Sequence, residues 1–314
     1  MWMIGQGESD VPYQFSSGLE APAIIVLTDV PESVRALATQ TAATLIERPN
    51  LTVADYATLK DELTDGKGFD DIVLLDPRSA TAVSEIGRCV ARRGTLNMVG
   101  NTPLDGLADA DVGRLHYDYI AFVGTSGSDI AAAYGEARNR CELREGGTAV
   151  FIGAGGPMGQ MHVQRAIEHP AGPQAVVATD ISDERLAAVQ ERFGALAEEN
   201  GRSLHLYNPQ TAEETLHQMV MRVTNEQGAD DVIVSVPAAA LMAEADTVMK
   251  DDGMLVLFAG VPNGTMAPLN LSNVYLSNAQ YSGTSGLTIE DQAEVMRRAL
   301  DGALSPERSV AAIG

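Results

Sequence analysis

Apolar and polar positions along this chain follow two rhythms. Short, nearly unbroken apolar runs occur at 148–153 (TAVFIG), 174–180 (QAVVATD), 229–237 (ADDVIVSVP) and 253–262 (GMLVLFAGVP), each bounded by glycine, proline or aspartate. Runs of that length and composition predict strands covered on both faces. Between them, 159–168 (GQMHVQRAIE), 182–199 (SDERLAAVQERFGALAEE) and 238–251 (AAALMAEADTVMKD) place apolar residues at helical spacing, with Ser182 as an N-cap. Strands alternating with helices predict a parallel sheet with crossover helices on its two faces.

The tetrapeptide GTSG stands at 124–127 and again at 283–286. Similarity spreads from it in collinear blocks: 1–8 with 149–156, 23–34 with 175–186, 68–77 with 228–237, 92–103 with 251–262, and 115–127 with 274–286. The chain therefore reads as a domain of about 150 residues written twice, over 1–142 and 143–314. The expected fold class is α/β, two tandem doubly wound (Rossmann) domains. Their last strands, 117–124 and 274–283, are expected to pair edge to edge and so hide two exposed edges.

The second copy carries VFIGAGGPMGQMHVQRAIE over 150–168. Gly153, Gly155, Gly156 and Gly159 fall between a predicted strand and a predicted helix. Glycine there permits a tight turn and close approach of a pyrophosphate, which the N–H groups of the helix start can hold. Ala154 occupies the position where the usual spacing expects the first glycine, so Gly153 is expected to serve instead. Asp180 ends the next strand, where a carboxylate accepts the ribose hydroxyls of an adenosine and repels a 2′-phosphate; this points to NAD rather than NADP. The first copy keeps Gly5, Gly7 and Asp29, but Glu8 and Asp10 stand where phosphates would lie. A degenerate, structural first copy is expected.

Composition narrows the classes further. The formal net charge is −22, with 43 acidic and 21 basic residues. A field of that sign argues against nucleic-acid and membrane-surface partners. Two cysteines, Cys89 and Cys141, form no disulfide framework, and the N-terminus lacks the pattern of a signal peptide; a cytoplasmic protein is expected. The five histidines are scattered, and no metal ligand set is identified. His162 reads as a helix-surface residue. YATLK (56–60) has the Tyr-x-x-x-Lys spacing of a proton-transfer pair, but it lies in the poorer copy and is discounted.

GAGGPMGQMH, VVATDISDERL, GADDVIVSVP and LVLFAGVP together resemble the cofactor domain of medium-chain (zinc-type) alcohol and polyol dehydrogenases. The PMG and GTSG elements are most similar to the sorbitol dehydrogenase and sorbose-1-phosphate reductase-like branch. The resemblance is strong over 148–314 and weaker over 1–142. It implies NAD-type binding by Gly155, Gly156, Pro157, Met158, Gly159 and Asp180, with Val236, Gly260, Val261, Pro262, Thr284 and Ser285 near the nicotinamide. It also implies hydride transfer with an alcohol or polyol substrate. Family members carry a zinc-holding catalytic domain with no counterpart here, so that domain, or a homo-oligomer, is an expected partner and no catalytic residue is named. A non-catalytic NAD(H)-binding sensor or scaffold is the rival reading.

Overall fold

The computed structural model of the chain describes residues 1–7, 11–17, 22–135, 140–283, 285–286 and 288–309. They form two compact units, one of Met1–Arg140 with Val261–Gly283, the other of Cys141–Gly260 with Thr284–Gly314. No helix among the described residues is long and apolar enough to cross a membrane.

The chain begins with β1 (Trp2–Gly5), β2 (Ile24–Thr28), α1 (Glu32–Thr39), β3 (Thr44–Glu47), α2 (Tyr56–Thr64), β4 (Phe69–Leu75), α3 (Ala80–Gly87) and β5 (Val90–Val99). It continues with β6 (Ala108–Asp111), α4 (Val112–Tyr117) and β7 (Ala121–Thr125). Then come β8 (Thr148–Ile152), α5 (Pro157–Glu168), β9 (Ala175–Thr179), α6 (Asp183–Glu199), β10 (Ser203–Tyr207), α7 (Leu216–Val223), β11 (Ala229–Val234), α8 (Ala239–Asp246) and β12 (Met249–Leu257). The last elements are β13 (Met266–Leu269), α9 (Ser272–Leu276), β14 (Gln280–Gly283) and α10 (Ile289–Leu300).

Two six-stranded sheets share one order, β3-β2-β1-β4-β5-β7 and β10-β9-β8-β11-β12-β14. The ladders among β1–β5 and β7, and among β8–β12, are parallel. Strand order reverses direction beside β1 in one sheet and beside β8 in the other, the doubly wound arrangement that leaves a ligand crevice at the strands' carboxyl ends. The apolar runs are covered on both faces, as their composition predicts: Ile72, Val73, Leu74 and Leu75 of β4, and Val232, Ile233 and Val234 of β11, are all buried. In the first sheet Trp2 is fully buried, with Tyr56 and Phe69 rings each 5.3 Å away, and its indole N–H donates to Thr28 Oγ1 at 3.0 Å. In the second, Phe151, Val163 and Phe193 join β8, α5 and α6 in one apolar cluster.

The first unit is completed by the later segment 261–283. β13 runs antiparallel to β6, with Met266 opposite Asp111 and Leu269 opposite Ala108. The expected ladder between 117–124 and 274–283 is not formed among the described residues. Only 121–124 and 280–283 of the two stretches are strand, the rest being helix, turn or loop, and β7 and β14 each end a separate sheet. The two strands instead offer glycine seats. A Cβ on Gly124 would stand 2.6 Å from Tyr275 Cβ on α9, and one on Gly283 would stand 2.9 Å from His116 Cα on α4. These glycines open the two GTSG stretches, and the same sequence interval separates His116 from Tyr275. The repeated tetrapeptide thus has a packing role.

Asp71 of β4 accepts the Tyr134 hydroxyl at 2.9 Å on each carboxylate oxygen. Burial raises its pKa to about 6, with the Asp70 charge adding to the rise, while the Tyr134 hydrogen bond and the N-terminal ammonium oppose it.

Two predictions follow from these contacts. Gly124→Ala forces its methyl group onto the Met98 carbonyl and Tyr275; urea unfolding should show a loss of about 1–3 kcal/mol. Because the fold raises the Asp71 pKa, its stabilising share is fully present below about pH 4 and is lost as pH rises through about 6. The stability of wild type relative to Asp71→Asn should therefore fall by about 1–3 kcal/mol between pH 4 and pH 7. A flat difference across that range would contradict it.

Candidate nucleotide-binding site

The site is built on the turn between β8 and α5 in the second unit. Gly153 leaves β8 with φ +83°, a left-handed conformation that glycine adopts without strain. Its N–H and that of Ala154 both donate to the Thr179 carbonyl, at 3.0 and 2.8 Å, locking the turn to the end of β9. Gly153 thus makes the turn, as expected, and Ala154 is buried beneath it. Gly159 lies in the first turn of α5, where a Cβ would collide with the Gly153 carbonyl oxygen and stand 2.6 Å from Ala154 Cα. Only a glycine lets the helix come so close to the loop.

Gly156 caps α5 and Pro157 occupies its first position. The cap has no side chain to offer, and proline has no N–H to leave unpaired. The N–H groups of Met158 and Gly159 then lie at the positive end of a twelve-residue helix, without a side-chain cap. Space in front of them is open: a Cβ on Gly156 would meet nothing nearer than the Gly153 carbonyl at 3.6 Å. Met158 is exposed.

Asp180 follows β9 and is 7% exposed. Its Oδ2 accepts the Gly155 N–H at 3.0 Å and its Oδ1 the Ser182 N–H at 3.1 Å. The carboxylate therefore ties the glycine loop to the start of α6. Each oxygen keeps a further lone pair for a hydroxyl donor. A Cβ on Gly155 would stand 2.7 Å from Asp180 Oδ2, so that glycine is also fixed by close approach. A brace the sequence did not single out holds the loop from behind: Gln160 Nε2 donates to the Gly155 carbonyl at 2.9 Å, and Arg192 donates to Gln160 Oε1 at 2.6 Å. Nothing in the order of letters marks Gln160, because its partner lies a full helix away on α6.

Of the residues expected near a nicotinamide, Val236 is brought to the loop, its Cγ2 2.5 Å from where a Gly153 Cβ would be. Gly260 is half-buried just beyond β12, and Ser285 is half-buried in the second unit. Val261 and Pro262 belong to the first unit, where the Pro262 carbonyl accepts the Thr265 N–H and packs on Gly113. Thr284 lies outside the described residues. His162 is a correction: it is half-buried rather than a surface residue, its ring edge-on to Phe258 at 4.4 Å. Burial lowers its pKa, so the imidazole is neutral at pH 7, and Nε2 has no hydrogen-bond partner among the described residues.

The first unit lacks this cradle among its described residues. No helix lies between β1 and β2 there, and Tyr13 from that stretch is buried in the core. Asp29 accepts the Asn50 N–H at 3.0 and 3.1 Å, and Gly7 packs on the Asp76 carboxylate. Glu8 and Asp10 lie outside the described residues. Tyr56 of YATLK packs on Trp2, and burial raises its pKa, the reverse of what a proton-transfer tyrosine needs. No three His, Cys, Asp or Glu side chains among the described residues converge to hold a metal ion, so they do not fit a catalytic zinc.

Comparison with known proteins finds the following similarities. Residues 157–301 match the family model described as zinc-binding dehydrogenase. The chain is 32% identical over 178 residues to the protein YggP of Escherichia coli (strain K12), covering 56% of this chain and 42% of that one. It is 29% identical over 174 residues to mannitol-1-phosphate 5-dehydrogenase of Aliivibrio fischeri, covering 55% and 41%, and 27% identical over 150 residues to L-sorbose 1-phosphate reductase of Klebsiella pneumoniae, covering 48% and 35%. It thus spans less than half the length of each of these relatives. Among solved structures, alcohol dehydrogenase TADH from Thermus sp. ATN1 aligns at 28% identity with a TM-score of 0.40, over 54% of this chain and 46% of that one. Over about half of its length the chain is thus similar to proteins described as dehydrogenases and a reductase.

The glycines differ in what they tolerate. Gly159→Ala should cost about 1–3 kcal/mol by driving α5 off the loop. Gly156→Ala should cost only a few tenths to about 1 kcal/mol, because it meets open space and loses no side-chain cap. Denaturant unfolding of the two variants measures the contrast directly.

Proposed function

We propose that the second unit binds NAD(H) and serves as the cofactor-binding part of an alcohol or polyol dehydrogenase. The observation that carries this reading is the uncapped start of α5 beside a buried carboxylate. In this reading the Met158 and Gly159 N–H groups hold the pyrophosphate, with Gly155 and Gly156 leaving room for it. Asp180 accepts the adenosine ribose hydroxyls, and its charge disfavours a 2′-phosphate there. Val236, Gly260, Thr284 and Ser285 are assigned to the nicotinamide side. Bound there, the nicotinamide supplies or accepts a hydride. Residues 1–142 form the degenerate copy and 143–314 the binding copy of a duplicated domain, in a cytoplasmic protein. The groups that polarise the substrate are assigned to a catalytic domain or partner chain that completes the enzyme.

A calorimetric titration with NADH tests this. One site per chain is expected, weakened at least tenfold, or about 1.4 kcal/mol, by Gly156→Glu, which puts a carboxylate against the pyrophosphate. Asp180→Asn should weaken NADH but lose discrimination against NADPH. Absence of NADH binding, or a Gly156→Glu variant that binds as well as wild type, overturns the proposal. NADH binding without turnover of any alcohol or polyol would favour a sensor.

A further inference from the structure

The first unit has a cavity of about 550 Å³ far along the chain from the glycine loop, lined by Lys60, Lys67, Arg88, Arg92 and Arg114. Five of only 21 basic residues, and two of the three lysines, meet there in a chain of net charge −22. The acids beside them are already engaged. Asp61 pairs with Lys60 at 3.1 Å, Glu85 with Arg88 at 3.3 Å and Asp118 with Arg114 at 2.8 Å. Asp111 caps α4 by accepting the Arg114 N–H. Lys67 and Arg92 form no ion pair among the described residues, and both are exposed. Neighbouring Arg93 is likewise exposed, with its guanidinium, like that of Arg92, over the Tyr119 ring.

The second half of the chain provides an internal control. It repeats the same backbone: Gly68 and Gly228 have φ of +94° and +81°, and Arg93 and Asp252 have +63° and +59°. Yet it carries Gln227, Thr247, Asp251 and Asp252 where the first half carries Lys67, Arg88, Arg92 and Arg93. The fold does not require these bases, since the same turns form with neutral and acidic residues. Lys67 and Arg92, which form no ion pair among the described residues, leave positive charge in the cavity without such a partner.

We propose that this cavity binds a small molecule carrying two or more phosphoryl groups. The concave wall and its volume suit a compact ligand, and guanidinium forks match phosphoryl oxygens in a bidentate way. An extended acidic chain would feel the whole negative surface, whereas a ligand held within the cavity lies inside a Debye length of about 8 Å from the bases, and the acids that share its wall, Glu85, Asp111 and Asp118, are already engaged. The site is separate from the NAD(H) site proposed above and does not depend on it.

The test is calorimetry of the full chain with inorganic pyrophosphate and tripolyphosphate at low and physiological salt. The comparison is with the triple variant Lys67→Gln, Arg88→Thr, Arg92→Asp, which installs the second-half residues, and with Gly156→Glu. The expected result is 1:1 binding, weakened at least tenfold in the triple variant, unchanged in Gly156→Glu, with thermal unfolding and NADH affinity of the triple variant unaltered. Three results overturn the proposal: no binding of either anion by wild type, equal binding by the triple variant, or loss of binding in Gly156→Glu alone, which would place the anion on the glycine loop. Binding of a polyglutamate peptide with both phosphates silent also overturns it, in favour of a docking surface for acidic protein.

Discussion

The second unit hinges on the contact between Gly159 and the backbone of Gly153 and Ala154. That contact sets how close α5 comes to β8, and hence where the helix's free N–H groups end. The Thr179 carbonyl, shared by two loop N–H groups, fixes the same turn to β9, and Asp180 then fixes it to α6. Strand, loop and two helices are thereby held by backbone contacts together with the Asp180 carboxylate and the Gln160–Arg192 brace. The loop's form is set by its own contacts, so a ligand taken up there, as proposed, would cost little ordering entropy.

The two halves show how the same sheet order supports different ends. In the second, the loop after the first strand becomes a helix with an empty cap. In the first, no helix follows β1 among the described residues, Tyr13 enters the core, and the Asp76 carboxylate fills the space against Gly7. Conversely, the first half places Lys67, Arg88, Arg92 and Arg93 where the second carries Gln227, Thr247, Asp251 and Asp252. Charge and loop chemistry differ between the two halves while the strand order does not, and buried strands tolerate change less than loops do.

Much of this was legible in the letters. Unbroken apolar runs declared strands covered on both faces, and helical spacing placed the crossovers, so the sheet class followed from periodicity alone. Gly153, Gly155, Gly159 and Asp180 were legible because close backbone approach leaves few residue choices. The brace from Arg192 through Gln160 was not, since it depends on which side of α6 faces the loop. His162 was misplaced for a similar reason: its helical position is polar by pattern, but Phe258 comes over from beyond β12 to cover it. The edge-to-edge ladder did not form, and only about half of each stretch is strand, a division that short apolar runs do not reveal by length.

The first unit takes β13 and α9 from the segment 261–283, which follows β8–β12 of the second sheet in the chain. A ribosome makes the chain from one end only, so the first unit remains unfinished while 120 residues of its neighbour emerge (Cys141–Gly260). During that interval β6 has no partner strand and the seat at Gly124 has no tenant. An open edge of that kind invites pairing with other chains. Completion of the earlier unit is therefore timed by synthesis of the later one, and a nascent chain halted before residue 283 would expose an adhesive, half-built unit.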